Sequence, residues 1–458
     1  MERSKVWNNI DEQAMQSFCE DYRRFLSEHK TERENVAGMT ELLKAAGARS
    51  LEEAAADGAD LKAGDLLYAD MMKKSLLVFR IGRRPVTDGC RLLGAHIDSP
   101  RLDLKQNPLY EDTDLAMLDT HYYGGIKKYQ WVTVPLALHG VVARKDGTVV
   151  NINIGDKEGD PVFGVSDLLI HLSGKQMGKK AGEVIEGENL NILTGSKPLA
   201  QTGEKEEKEA VKANILAILK EQYGIEEEDF LSAEIEVVPA GEARDYGLDR
   251  SMVMGYGHDD RVCAYPSFRA IMDVKEPEYT SICLLTDKEE IGSVGATGTH
   301  SRFFENTVAE VMNLLGCYSE LALRRVLTRT RVLSSDVSAA FDPNYPEVME
   351  KKNAAFFGQG PVFNKYTGSR GKSGSNDANA EYIAFLRNLL DKEGIVWQTA
   401  ELGKVDEGGG GTIAYILANL GMEVIDFGVA VLNMHSPWEI ACKADIYEAY
   451  RAYKVFLQ

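Results

Sequence analysis

Two adjacent carboxylates, Glu289 and Glu290, lie in Thr286-Asp287-Lys288-Glu289-Glu290-Ile291-Gly292-Ser293, directly after the apolar run Ser281-Ile282-Cys283-Leu284-Leu285. Carboxylates at the end of a buried strand are costly unless a cation or a proton compensates them. If both enter one site, one can hold a metal ion while the other moves a proton. A Glu-Glu pair alone is ordinary surface charge, so its meaning depends on the rest of the chain. The same event recurs there. His96-Ile97-Asp98 closes the run Gly89–Ala95, Asp336 closes Arg331–Ser335, and Asp259-Asp260 precedes a helical pattern. His435 follows Val424–Val431. Strand C-termini line the ligand crevice of open α/β sheets. Histidine and carboxylate donors without cysteine suit Zn²⁺, Mn²⁺ or Co²⁺, and the number of acids fits two ions roughly 3.5–4 Å apart.

Each residue has an ordinary alternative. His96 read alone is a core histidine; Asp259 and Asp260 are helix caps; Asp336 is a turn acid; His435 precedes a turn at Ser436-Pro437. His258 reads as a turn residue. The spacing His96-x-Asp98 puts both side chains on one side of a strand, so Asp98 can orient the imidazole.

These residues need a scaffold that delivers strand ends to one place. Helical periodicity covers about Asp11 to Ala46, then strands follow at Ser75–Ile81 and Gly89–His96. From about Leu104 the pattern turns β-rich. Trp131–Ala143 and Thr148–Ile154 flank a Lys145-Asp146-Gly147 turn, and Ser232–Pro239 alternates. Gly195–Lys212 is highly charged, densest at Glu204–Glu209, and reads as exposed; Ala210–Tyr223 is an amphipathic helix. Helices and strands then alternate to the end, with helices over Val262–Val274, Glu305–Leu315, Ala378–Glu393, Thr412–Leu420 and Asp445–Leu457. The expectation is an α/β domain, residues 1–103 with 241–458, holding a central mixed sheet flanked by helices. A mostly β domain, residues 104–240, is inserted within it.

The chain of 458 residues is long enough for two domains. Its net charge of −19 disfavours nucleic acid and anionic membranes as partners. No apolar run reaches the roughly 20 residues of a membrane span, and the polar N-terminus is no secretory signal. The six cysteines form no Cys-x-x-Cys pair and read as thiols of a reducing compartment, so cytoplasm is expected.

Four stretches carry a resemblance: Gly94–Asp103; Thr286–Ser293; Ser335-Asp336-Val337 with Pro343-Asn344-Tyr345; and Met434-His435-Ser436. Together, in this order, they resemble the aspartyl-aminopeptidase family of di-zinc exopeptidases. The resemblance implies the di-zinc exopeptidase fold and a metal-dependent aminopeptidase with two divalent ions, zinc before cobalt or manganese. It implies His96 on one metal, His435 on the other, and Asp259 bridging, with a cis peptide to Asp260. Glu290 and Asp336 complete the ligand sets. Glu289 is the general base toward the attacking water, and Asp98 steers His96. It further implies that the inserted domain pairs subunits, that dimers build a tetrahedral dodecamer, and that a neighbour's histidine reaches each site. His171, in Leu169-Ile170-His171-Leu172, is the best match. His121 is the other candidate, with a surface-loop position as its ordinary reading.

Some positions depart from the family pattern. Asp342 stands where the family often has histidine before Pro-Asn-Tyr. Lys365, in Phe363-Asn364-Lys365, is shifted by about one from the lysine of members favouring acidic substrates, and a slip of one on a strand reverses the face. The acidic preference implied by the family name therefore depends on Lys365, or on the Tyr366–Asp377 loop. Gly408–Gly411, with Gly410 at the substrate, suits close backbone approach; no Gly-Lys-Ser/Thr follows to make a phosphate loop. A carboxypeptidase or N-deacylase on the same di-metal scaffold is the rival reading. A non-catalytic shell is disfavoured by the presence of Glu289 beside every ligand candidate.

Overall fold

Period-two alternation builds the central layer of the computed structural model, which describes residues 4–200 and 208–458. In four neighbouring strands, adjacent apolar residues point to opposite faces. Leu93, Cys283, Leu333 and Ile425 enter one buried cluster, while Leu92, Ile282, Val332 and Val424 enter another. The first cluster is closed by Phe18, Val262, Phe268, Leu386 and Tyr453, from four helices. The second is closed by Phe304, Val308, Val326 and Leu417, from three more. A sheet apolar on both faces requires helices on both, and the result is three layers.

That sheet has nine strands and is mixed. Its centre is parallel: Thr280–Thr286, Cys90–His96, Arg331–Ser334 and Glu423–Gly428 lie side by side. Val362–Asn364 then runs antiparallel to Glu423–Gly428. A five-stranded sheet, which includes Met252–Gly255 and Glu439–Cys442, belongs to the same unit. By packing, this unit comprises Met1–Ser99, Ala243–Met434 and Glu439–Gln458.

The second unit, Pro100–Glu242 with His435–Trp438, contains a six-stranded antiparallel sheet. Leu136–Ala143 and Val149–Ile154 pair across the expected turn, where Gly147 has φ +87°. The long hairpin Arg101–Asp112 with Leu115–Tyr123 was not legible as strands. Its turn uses Thr113 and Asp114 at positive φ, without the glycine that usually marks such a turn. His121 lies on this hairpin, which corrects its reading as a surface-loop residue; it is exposed and faces Asp103 across the pair. Arg101 joins Asp103 (2.8 Å) to buried Glu236 (3.1 Å), and buried His139 meets Asp156 at 2.9 Å. Gly195 ends the strand Ile192–Gly195, so the charged stretch begins later than expected. Of its densest part, Glu204–Glu209, residues 204–207 lie outside the described residues, while Ala210–Tyr223 is helical.

No helix among the described residues is long and apolar enough to cross a membrane. All six cysteines are free thiols, five of them buried.

Candidate metal centre

His96 is the last residue of its strand and stands level with Thr286 in the register. Ser334 pairs with Gly94, so Asp336, two residues on, reaches the height of His96. Asp259 arrives from the start of the helix His258–Asp273, where Asp259 and Asp260 have non-helical angles and share a cis peptide bond. Glu289 and Glu290 lie on a single 3-10 turn after the strand Thr280–Thr286, held between Lys288 (φ +70°) and Gly292 (φ +98°).

These side chains converge. His96 Nε2 is 3.2 Å from Asp259 Oδ1 and 4.0 Å from both Glu289 Oε2 and Asp336 Oδ1. Two groups, His96 with Asp259 and Asp336, and His96 with Glu289 and Glu290, each keep their donor atoms within 4.8 Å of one another. His96 Nδ1 is 3.0 Å from the Asp98 carbonyl oxygen. A carbonyl only accepts, so Nδ1 carries a proton, and Nε2, which faces the carboxylates, is the nitrogen left to ligate a metal once its own proton is lost. The Asp98 carboxylate accepts the backbone N–H of Glu289 (3.1 Å) and of Glu290 (3.2 Å). It thereby ties the imidazole to the turn that carries both acids.

The electrostatics call for a cation. Burial lowers the pKa of His96, but Asp259, Asp98, Glu289 and Asp336 outweigh it and lift the imidazole well above its ordinary range. Burial, then the negative charges of Glu289, Asp259 and Asp426, raise Asp336 well above the carboxylate range, against the opposing pull of His96. Burial and Asp336 do the same to Asp260. A divalent ion compensates several such groups at once, and one imidazole with oxygen donors is a set that zinc accepts.

Several of these contacts carried no clear sequence signal. Glu439 accepts the Asp259 N–H at 3.0 Å, and Asp260 accepts the His96 N–H at 3.3 Å. Buried Arg261 bonds Ser99 Oγ, whose hydroxyl donates to the Asp259 carbonyl. The one usable hint was an acid, Glu439, opening the apolar run Ile440-Ala441-Cys442. His258 is a buried anchor at the head of its helix, where the expectation was a turn residue. It is bound by Tyr22 Oη (2.8 Å) and the Val253 carbonyl (3.1 Å), and burial pushes its pKa down to about 3.

The remaining candidates are held by other contacts. His435 (φ +65°) belongs to the segment packed with the second unit, its Nδ1 2.8 Å from the Gly125 carbonyl. His171 is exposed on the 3-10 turn Ile170–Leu172 of that unit. Lys365 is half-exposed and its ammonium bonds Asp377 at 2.9 Å. Asn364, the preceding residue, is the buried one, with its amide on the Ala400 carbonyl at 3.0 Å. In the glycine run, close approach is made first to the chain's own loops. A Cβ on Gly408 would collide with the Leu402 carbonyl, and one on Gly409 would meet Ser369 Cα at 2.7 Å. Gly410 differs: its nearest neighbour would be Leu402 Cδ2 at 3.6 Å, so space remains there.

Comparison with known proteins names this arrangement. Residues 25–457 match the family model described as aminopeptidase I zinc metalloprotease (M18). A Clostridium acetobutylicum protein described as "Probable M18 family aminopeptidase 1" is 61% identical over 459 residues, spanning 100% of this chain and 98% of its own. The crystal structure of an M18 aminopeptidase from Thermotoga maritima is 47% identical, covering 100% of this chain and 99% of its own at a TM-score of 0.95. That of aminopeptidase I from Clostridium acetobutylicum is 57% identical, with the same coverage and a TM-score of 0.93. The chain therefore belongs to the M18 family of zinc metalloaminopeptidases, the aspartyl-aminopeptidase family, and is a hydrolase that removes N-terminal residues from peptides.

Proposed function

We propose that this aminopeptidase works with two divalent ions, zinc before cobalt or manganese. His96 would hold one and His435 the other, Asp259 would bridge them, and Glu290 and Asp336 would complete the sets. One observation carries the reading: buried His96, Asp259 and Asp336 meet Glu289 and Glu290 in a cluster where burial and the neighbouring acids raise Asp336. Bound zinc supplies a Lewis acid and lowers the pKa of water at the site. Glu289, the most accessible of the four acids that surround His96, takes the proton of the attacking water and returns it to the leaving amine. Asp98 keeps His96 in the tautomer that leaves Nε2 unprotonated. The substrate's free α-amine docks at the same acidic cluster, which restricts cleavage to the first residue.

The second unit, close to the expected 104–240 insert, is assigned to subunit pairing, with dimers assembling into a tetrahedral dodecamer. Support comes from the exposed apolar side chains around His171: Leu168, Leu169, Ile170 and Leu172. Such a patch is unusual on a lone surface. His171 is the histidine assigned to the neighbour's oxyanion, ahead of His121. Peptides are the substrates. The free thiols and acidic surface suit the cytoplasm and no nucleic-acid or membrane partner.

A preference for acidic N-terminal residues needs a cation beside the substrate side chain. Lys365, the cation the family pattern offers, is held by Asp377, and buried Asn364 is neutral. We infer that neutral residues turn over at least as well as acidic ones, with Gly410 lining the substrate's path. The test is a panel of Asp-, Glu-, Leu- and Lys-anilides with N-acyl amino acids, run with Zn²⁺, Co²⁺ and Mn²⁺. The reading expects turnover of free-amine substrates, leucine not below glutamate. Turnover of N-acyl amino acids alone would favour the deacylase or carboxypeptidase alternative.

A further inference from the structure

Behind the Glu289–Glu290 turn sits a buried set of hydroxyls that the proposed mechanism does not use. The Thr297 hydroxyl donates to Asp287 Oδ2, and the Ser75 hydroxyl donates to the Thr297 carbonyl. The Asp287 N–H reaches Ser75 Oγ at 3.2 Å and the Thr297 carbonyl at 3.3 Å. Beside them Thr299 Oγ1 donates to Thr286 Oγ1 at 3.0 Å. Asp287, Ser75, Thr286, Thr297 and Thr299 are all buried. Gly298 allows this contact, since a Cβ there would collide with the Ser293 carbonyl.

Burying a carboxylate and four hydroxyls is costly unless each is satisfied. What the group holds is short. Asp287 precedes Lys288, where φ turns positive, and Glu289 and Glu290 follow. The Asp98 carboxylate holds the two backbone N–H groups of these acids. Side chains on the outer surface of the turn are free of such packing: Ile291 is 50% exposed and Val294 69%. The turn is thus held by Asp98 at the backbone of its acids and by the hydroxyl set at Asp287.

We propose that Thr297, through its hydrogen bond to Asp287, is a positioning residue for the base Glu289. The inference rests on Glu289 being that base. A displacement of about 1 Å in a catalytic group can cost on the order of 100-fold in rate. The loss should therefore fall on turnover and spare binding.

The experiment compares zinc-loaded Thr297→Val and Thr297→Ser with the parent on leucine p-nitroanilide. It measures kcat, KM, zinc per chain and Tm. Valine keeps the shape of threonine and loses the hydroxyl; serine keeps the hydroxyl. The expected result is a kcat lowered about 10- to 100-fold in Thr297→Val, with KM and zinc content unchanged, and recovery to within about 3-fold in Thr297→Ser. A Thr297→Val kcat within about 2-fold of the parent, or a Thr297→Ser variant as slow as the valine one, would overturn the proposal. So would a loss that follows zinc content. If the valine variant does not fold, Ser75→Ala removes the second hydroxyl of the set and is read by the same criteria. Glu289→Gln separates the two ideas: if it stays active, the base assignment fails whatever Thr297 does. If it is inactive with zinc bound and Thr297→Val is not slowed, only the positioning role of Thr297 fails.

Discussion

Two groups of charged side chains in the first unit solve opposite problems. In the loop from Lys365 to Asp377, the one acid meets two lysines. Lys372 and Lys365 bind the two oxygens of Asp377 at 2.8 and 2.9 Å and hold its pKa below the ordinary carboxylate range. Lys372 also lies 3.8 Å over the Tyr366 ring. Around His96 the acids meet one another, and Asp336 and Asp260 are driven upward. The acid of the loop has two cations beside it, whereas the acids of the cluster raise one another. Both are rich in charge, so charge density alone does not mark a site. Uncompensated charge at low exposure does.

The strongest way to break this contrast is to remove the proposed base. Glu289→Gln should lower kcat on the order of 10²- to 10⁴-fold, the usual contribution of a general base, while zinc per chain stays at the parent value. Activity within 10-fold of the parent, measured beside metal analysis, would remove Glu289 from that role.

Withdrawing zinc should cost stability, because the ion binds the folded form: about 4 kcal/mol at a free concentration a thousand times Kd. The pH dependence follows from the directions of the shifts. A carboxyl raised in the folded state, like Asp336 or Asp260, stabilises the fold fully below its unfolded pKa. That contribution fades as pH climbs toward the raised value. His96, also raised, loses its contribution in the same direction. Bound zinc relieves all three. The Tm difference between zinc-loaded and chelated enzyme should therefore grow from pH 5 to pH 8. Asp445, pushed up by burial to about 7, is common to both forms and cancels in the difference. A gap that is constant or shrinks with pH would contradict the electrostatic account.

Much of the centre was legible because strand ends and acids are adjacent in the chain. Ala95-His96 and Ser335-Asp336 carry both pieces of information within a few residues. Contacts made by parts distant in sequence were not legible. Glu439 binds the backbone of Asp259 across 180 residues, and nothing in Trp438-Glu439-Ile440 announces that partner. The helix Glu320–Arg329 was missed although half of its residues are apolar, and the strand Glu439–Cys442, only four residues long, gains meaning only from the neighbours it packs against. Fine turn geometry was also hidden. Thr113, Asp114, Lys288 and Asn433 take positive φ without being glycine, so composition does not reveal them.

The glycine run gives a smaller test of what is structural and what is open. Gly409 has φ +129° and a backbone 2.7 Å from where a Cβ would sit, so Gly409→Ala should cost roughly 1–3 kcal/mol by chemical denaturation. Gly410→Ala should cost less than about 1 kcal/mol and appear chiefly in KM. Equal destabilisation would mean that Gly410 is as confined as Gly409. The smallest effect belongs to the Lys365–Asp377 loop. Asp377→Asn breaks two partly exposed pairs and should change stability by less than about 1 kcal/mol. It should also raise kcat/KM for glutamyl relative to leucyl anilide, because it releases Lys365 and Lys372. An unchanged ratio would place both lysines away from the substrate.

The most direct measurement is metal content. Zinc per chain, determined by plasma mass spectrometry on the parent and on Asp259→Asn, tests whether the uncompensated cluster is a two-ion centre bridged by Asp259. The account predicts two zinc ions in the parent and loss of both sites' tight binding in the variant. One ion in the parent, or two retained without the Asp259 carboxylate, would contradict it.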